Sequence, residues 1–254
     1  MTVESEQSIQ QYREQVWGEL IKIARPDSRF HWDFSRFIPD FPGSDRCSDF
    51  VMGLDAYAQL GDRQIFVTPD NSTEDLRRRL ILDDRPFLMT TYGLRRGFVL
   101  VDPADVPPGE ARYAATLDGA DHYGRALSLS ELAAGRPVGM LVTGGSAVSR
   151  NGIRFGKGHG YFDFEWALFS ELGLVDGGET VIAVMDDCQI IDTDLPGEPH
   201  DVVVDWIVTP SRCAGTGRGP RGPGAIRWDL IPGSEFEELD LLDELKEVLD
   251  MGQE

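Results

Sequence analysis

The apolar positions of this chain fall into short blocks whose period switches repeatedly between that of a helix and that of a strand. Near the start Ile9, Tyr12, Val16, Leu20 and Ile23 recur three and four residues apart, which predicts an amphipathic helix. Ser8 and Gln11 make a candidate capping box for it, and Pro26 stops it. Residues 27–45, rich in aromatics, Asp and Pro, read as an irregular loop. Phe50, Leu54, Tyr57 and Ala58 share one side of a helix expected over 46–60 and ended by Gly61.

From residue 64 onward strands and helices alternate. Strands are expected at 64–68, 86–91, 97–101, Val138–Thr143, 181–186, 189–191 and 202–209, and helices at 72–82, 130–134 and 162–172. Residues 102–130, with many Pro, Gly and Asp, read as a loop-rich insertion, and a loop is expected from Thr143 to Arg154. This rhythm predicts an α/β fold in three layers, α/β/α, around a largely parallel sheet. The α/β domain is expected over 1–213, a Gly/Pro/Arg linker over 214–224 and an acidic helical tail over 225–254. In the tail Ser234 and Glu237 are candidate caps, and Phe236, Leu239, Leu242, Leu245 and Leu249 form an apolar face for the main domain or a partner subunit.

The 254 residues suffice for one large domain or two small ones, and 41% apolar content supports a sizeable core. No apolar run reaches the ~18 residues a membrane span needs. The polar, acidic first ten residues do not resemble a signal peptide. Cys47, Cys188 and Cys213 are widely spaced and odd in number, which points away from a disulfide framework or zinc knuckle and toward a reducing cytoplasm. The formal charge is −20, with Lys22, Lys157 and Lys246 the only lysines. Such a surface repels nucleic acid and anionic membrane. It reads either as steering for a cationic partner or, the favoured reading, as adaptation to high salt.

Against that acidic background one stretch stands out: Arg154-Phe155-Gly156-Lys157-Gly158-His159-Gly160-Tyr161-Phe162-Asp163. Alternating glycines let successive backbone N–H groups converge on an anion, and the helix expected to follow adds its positive end. Arg154 and Lys157 add full charges, so a polyphosphate is the natural ligand. The stretch is neither a Walker A loop nor a GxGxxG fingerprint, and a flexible strand-to-helix connection is the competing reading. A second stretch, Leu195-Pro196-Gly197-Glu198-Pro199-His200-Asp201, runs into an expected strand. Asp163 and Asp201 are hard oxygen donors that suit Mg2+, which takes one or two carboxylates besides substrate phosphates. Capping and surface charge compete for both aspartates, and for Asp205.

Together these stretches resemble the 5-formyltetrahydrofolate cyclo-ligases, also called methenyltetrahydrofolate synthetases. The resemblance rests on Val138–Thr143, the run from Gly152 to Asp163, then Gln189, Pro196, His200-Asp201, Asp205 and Thr209, and it covers residues 138–210. It implies a cyclo-ligase-like fold and an ATP- and Mg-dependent ring closure of 5-formyltetrahydrofolate. The formyl oxygen attacks the γ-phosphate, N10 closes onto the activated carbon, and phosphate leaves to give 5,10-methenyltetrahydrofolate. It implies that Gly156, Lys157, Gly158, His159, Gly160 and Arg13 bind ATP, that Arg154, Lys157 and Tyr161 serve the reacting centre, and that Asp163 and Asp201 hold Mg2+. The family's Lys four residues before the Arg is replaced by Ile9. Residues 13–17, 37–43 and 223–228 instead resemble a divergent, cyclo-ligase-like branch of the family. The alternatives are therefore an ATP-dependent enzyme acting on another heterocycle, or a non-catalytic nucleotide- or folate-binding protein, as monomer or homodimer.

Overall fold

The computed structural model describes residues 3–219 and 221–251. Helix α1 (Val3–Leu20) begins five residues before the expected capping box, so Ser8 lies inside the helix and is not its cap. The aromatic loop after it is folded inward: Phe30, Phe34 and Phe37 are buried beside Leu20 and Ala24. The single helix expected over 46–60 is two, α2 (Ser44–Met52) and α3 (Asp55–Ala58), because Leu54 adopts an extended backbone between them.

Strand β1 (Gln64–Val67) leads through a 3-10 turn into α4 (Glu74–Leu82), followed by β2 (Phe87–Thr90) and β3 (Phe98–Val101). The expected loop-rich insertion is ordered. It holds α5 (Ala111–Ala114), α6 (Leu117–Tyr123) and β4 (Arg125–Leu127). Thr116 caps α6 by accepting from Gly119 N, and Ser128 with Glu131 forms a full capping box for α7 (Leu129–Ala133). The next elements are β5 (Val138–Thr143), β6 (Ala147–Ser149) and β7 (Arg154–Phe155), the last two lying where a loop was expected. They are followed by α8 (Tyr161–Glu171), β8 (Thr180–Val184), β9 (Ile190–Ile191), β10 (Trp206–Val208), β11 (Cys213–Gly215) and α9 (Leu241–Met251). Because α9 starts at Leu241, Ser234 and Glu237 do not cap it.

The main sheet has the order β11-β10-β8-β5-β1-β2-β3-β4. Its centre, β10-β8-β5-β1-β2, is parallel, with antiparallel β11 on one edge and the antiparallel β3 and β4 on the other. The β1–β5 register sets Phe66 opposite Leu141 and Val67 opposite Val142. Side chains alternate between two faces. Phe66, Leu141 and Val181 pack under α7, α8 and α9, while Val67, Val142 and Ile182 pack under α2 and α4 to α6. Three layers result, and β5 is buried on both faces throughout its length. A small second sheet, β7-β6-β9, stands beside the main one.

Several described residues of the stretch 214–224 are tied back to the domain although the stretch is largely exposed. Arg218 and Arg221 both pair with Asp205, Arg221 lies 4.8 Å over the Trp166 ring, and Gly224 N donates to Ser170 Oγ. Beyond it Ile226, Phe236, Leu239, Leu242 and Leu245 enter the same core as α8.

Candidate functional site

After β1 and β2 the chain crosses back over β1 to lay down β5, β8 and β10 on the other side. Where the winding reverses, between β1 and β5, the loops leave in opposite directions and open a crevice at the carboxyl ends of the strands. That crevice is the floor of a cavity of about 1140 Å³. Asp70, just past β1, ties the two strand ends together, its Oδ2 accepting from Thr68 Oγ1 at 2.5 Å and Gly144 N at 2.9 Å. Behind it the fully buried Arg77 donates to Thr68 O, Asp70 O, Thr73 Oγ1 and Ala115 O. These bonds hold the loop in place from inside the core.

The Arg154–Asp163 stretch forms one rim. Gly158 (φ +112°) and Gly160 (φ +72°) occupy backbone conformations that side chains disfavour, which is why glycine stands at both. Gly160 is the uncapped start of α8. The backbone N–H groups of residues 156–160 donate to no protein acceptor among the described residues. They and the helix end are available to an anion. Arg13, on α1, reaches across the loop, with Nε donating to Gly156 O at 3.3 Å. Lys157 Nζ lies 5.4 Å from the Tyr92 ring and 5.6 Å from the Tyr161 ring, and donates to Arg36 O. His159 Nδ1 meets Glu235 Oε1 at 2.9 Å. Glu235 also accepts from Tyr161 Oη at 2.7 Å. Burial, then that hydrogen bond, raises the pKa of the Tyr161 phenol above its ordinary value, so it remains a donor.

Arg154 is buried, stacked 4.7 Å over Phe162, with Nη2 3.4 Å from Asp163 Oδ2. Its Nε has no hydrogen-bond partner among the described residues. Asp163 is also held from the far side, its Oδ1 accepting from Val202 N at 2.8 Å. Burial raises the Asp163 pKa, and Arg154 opposes the shift. Asp201 accepts from Glu198 N at 2.7 Å and is close enough for its charge to raise the Asp163 pKa further. Among the described residues no group of three or more His, Cys, Asp and Glu is arranged to hold a metal. Asp163 and Asp201 are the cavity carboxylates that the sequence pattern named for a cation. Other residues of the sequence pattern serve the frame. Gln189 is buried and donates to Gly145 O and Ser146 O, Asp205 accepts from Val181 N, and Thr209 donates to Asp187.

The structure brings Arg13, Arg154, Gly156, Lys157, Gly158, His159, Gly160, Tyr161, Asp163 and Asp201 to the wall of this one cavity. Beside them are residues that sequence reasoning did not assign to the site. Phe30, Phe37, Tyr92, Leu94 and Phe236 line an apolar end, and Asp70, Thr90, Thr143 and Glu165 supply polar groups at the strand ends. Glu165 is buried, and its Oε1 accepts from Thr90 Oγ1 at 2.9 Å. Burial pushes its pKa up to about 8, against the lowering effect of the Thr90 hydrogen bond. A carboxyl between Phe164 and Trp166, inside an otherwise aromatic and aliphatic helix face, was a signal available in the sequence.

A largely parallel sheet with a large cavity at its switch point, rimmed by a glycine loop that opens a helix, defines an α/β protein of cyclo-ligase-like architecture. The chain belongs to the 5-formyltetrahydrofolate cyclo-ligase family, whose pattern matches residues 44–210. It is 32% identical over 250 residues to the human methenyltetrahydrofolate synthase domain-containing protein, covering 94% of this chain and 61% of that one. The Bos taurus protein of the same name is also 32% identical, with 62% of its length covered. The chain thus spans about three fifths of the curated relatives it matches. A 5-formyltetrahydrofolate cyclo-ligase of Mycolicibacterium smegmatis is 38% identical over 66 residues, 26% of this chain and 30% of that one. Among solved structures, the Aquifex aeolicus 5,10-methenyltetrahydrofolate synthetase aligns with a TM-score of 0.49 and 16% identity over 84% of this chain and 94% of that one.

Proposed function

We propose that this chain is an ATP-dependent ligase that closes a formylated reduced folate or a closely related heterocycle, with 5-formyltetrahydrofolate as the first substrate to test. One observation carries the reading. A loop of unpaired backbone amides, with Arg13, Lys157 and the α8 N-terminus beside it, shares a single cavity with an aromatic chamber. At about 1140 Å³ that cavity exceeds the ~300–1,000 Å³ usual for one small ligand, which suits two substrates side by side.

In this reading the amides of residues 156–160 and Lys157 take the phosphates of ATP. Phosphoryl transfer depends on position and charge neutralisation more than on covalent help. Tyr92 and Tyr161 flank Lys157 and divide the phosphate rim from the aromatic end, where the heterocycle would present its formyl oxygen to the γ-phosphate. Arg154, fixed on Phe162, places a permanent positive charge behind the loop. Asp163 and Asp201 suit Mg2+: they are hard oxygen donors that repel each other, a repulsion Arg154 opposes, and the phosphates would complete the ion's ligand set. When bound, the ion would neutralise phosphate charge. Burial by the loop residues and by the 218–236 segment would keep water from the activated carbon.

Purified protein with Mg-ATP and 5-formyltetrahydrofolate in molar KCl is expected to develop the absorbance of the methenyl product and release ADP. ATP binding without that product would reject the cyclisation and leave another heterocycle, or binding without catalysis. That second reading has its own support: Ile9 lines the cavity and packs in the Val16 and Phe155 cluster, so no cation stands there. Lys157→Ala is expected to weaken ATP binding by about tenfold, the loss of one charge-assisted contact. Calorimetry showing unchanged affinity would remove Lys157 from the site.

A further inference from the structure

Helix α8 is apolar almost throughout its buried length: Phe162, Phe164, Trp166, Ala167, Leu168 and Phe169 all face inward. Glu165 interrupts that run. It is 3% exposed, lines the cavity, and has no ion-pair partner among the described residues. Oε1 is engaged by Thr90; Oε2 is buried and has no hydrogen-bond partner among the described residues. Burying a carboxyl with half its hydrogen-bonding capacity unmet is costly. Packing does not require it, since its neighbours on the helix are aromatic or aliphatic. A leucine there would be the stabler choice.

We infer that Glu165, held by Thr90, is the specificity-determining residue of the aromatic end: it takes the edge of a nitrogen heterocycle that presents a donor and an acceptor side by side. A carboxyl offers two oxygens in one plane. One is already oriented by Thr90 at the end of β2, and the other lacks a partner that a ring lactam or aminopyrimidine edge would provide. The remaining wall at this end, Phe30, Phe37, Tyr92 and Leu94, gives mainly apolar contact, and the polar groups near it are engaged: Tyr92 Oη donates to Arg36 O, Thr143 Oγ1 to Gly144 O, and Asp70 accepts from Thr68 and Gly144. Discrimination between heterocycles therefore falls to Glu165, because a buried polar group left unpaired is what rejects a wrong ligand. The inference rests on the proposed heterocycle-binding reading and names the group that makes the choice.

The test compares wild type, Glu165→Gln and Glu165→Leu for binding of two probes, 5-formyltetrahydrofolate and free pterin, followed by Trp fluorescence. The probes share the ring edge, and only the first carries the formyl group. Glu165→Leu is expected to raise the melting temperature yet weaken both probes by about tenfold or more, while ATP affinity stays unchanged. Glu165→Gln keeps a planar donor–acceptor pair and is expected to stay within about threefold of wild type, which also guards against a misfolded leucine variant. Tight probe binding by a folded Glu165→Leu protein would overturn the inference, as would failure of wild type to bind either probe. Pterin binding that depends on Glu165, in a protein that makes no methenyl product, would reject the cyclisation alone and uphold this role.

Discussion

Glu165 couples the stability of the protein to pH. Its folded pKa, about 8, lies above the ordinary carboxyl value of 4.5, so between these values the folded state binds the extra proton. The sign follows from linkage: its contribution is complete below 4.5 and is lost as pH rises through 8. The loss approaches about 1.4 kcal/mol per pH unit. Urea unfolding from pH 5.5 to 8.5 is expected to show this decline in the wild type, and a shallower one in Glu165→Gln. Equal slopes would place the proton elsewhere. Arg77 contrasts with it at the same scale, since its guanidinium donates to four acceptors and bears on the site through the Asp70 loop.

The element that organises the site is α8 with the loop that opens it. The alternation of Gly156, Gly158 and Gly160 marks this loop in the sequence, and the helix start differs from expectation by one residue. That accuracy has a local cause, because glycines in left-handed conformations set the turn and the helix follows at once. Gly158→Ala is expected to strain a backbone at φ +112° and displace the amides that face the anion site. The predicted result is a destabilisation of about 1–3 kcal/mol with weakened ATP binding. Wild-type melting and wild-type ATP affinity in that variant would show that the loop tolerates rearrangement. The missed elements are short. β4, β6, β7 and β11 have two or three residues each, and α5 has four, too few for any period to register. They exist because neighbours complete their hydrogen bonds, as Val148 does with both Arg154 and Ile190.

At the scale of the whole molecule, the −20 charge must sit on one folded surface. Many carboxylates there have arginine partners, such as Asp75 with Arg78 and Arg79, but the excess repels itself. Molar salt shortens the screening length to about 3 Å and relieves that repulsion. The melting temperature is therefore expected to rise by several degrees between about 0.05 and 2 M KCl. A flat response would favour a cationic partner over salt adaptation as the meaning of the charge. The C-terminal segment belongs to the same picture. Its leucines join the α8 core and its Glu235 reaches back to His159 and Tyr161, so the last part of the chain closes one side of the cavity.

Residue order alone established what depends on neighbours a few positions apart: the strand–helix rhythm, the buried character of β5, the glycine loop and the helix behind it. Backbone propensity and apolar period act over single turns, so they can be read along a line. Folding decided which distant groups meet. Thr90 and Glu165 are 75 residues apart, Tyr161 and Glu235 are 74 apart, and Asp70 and Gly144 are 74 apart. Each pair forms only because the sheet reverses its winding between β1 and β5 and the C-terminal segment folds back over α8. No period or spacing encodes that convergence, and the placing of Asp70, Thr90 and Thr143 in the cavity was for that reason visible only in three dimensions.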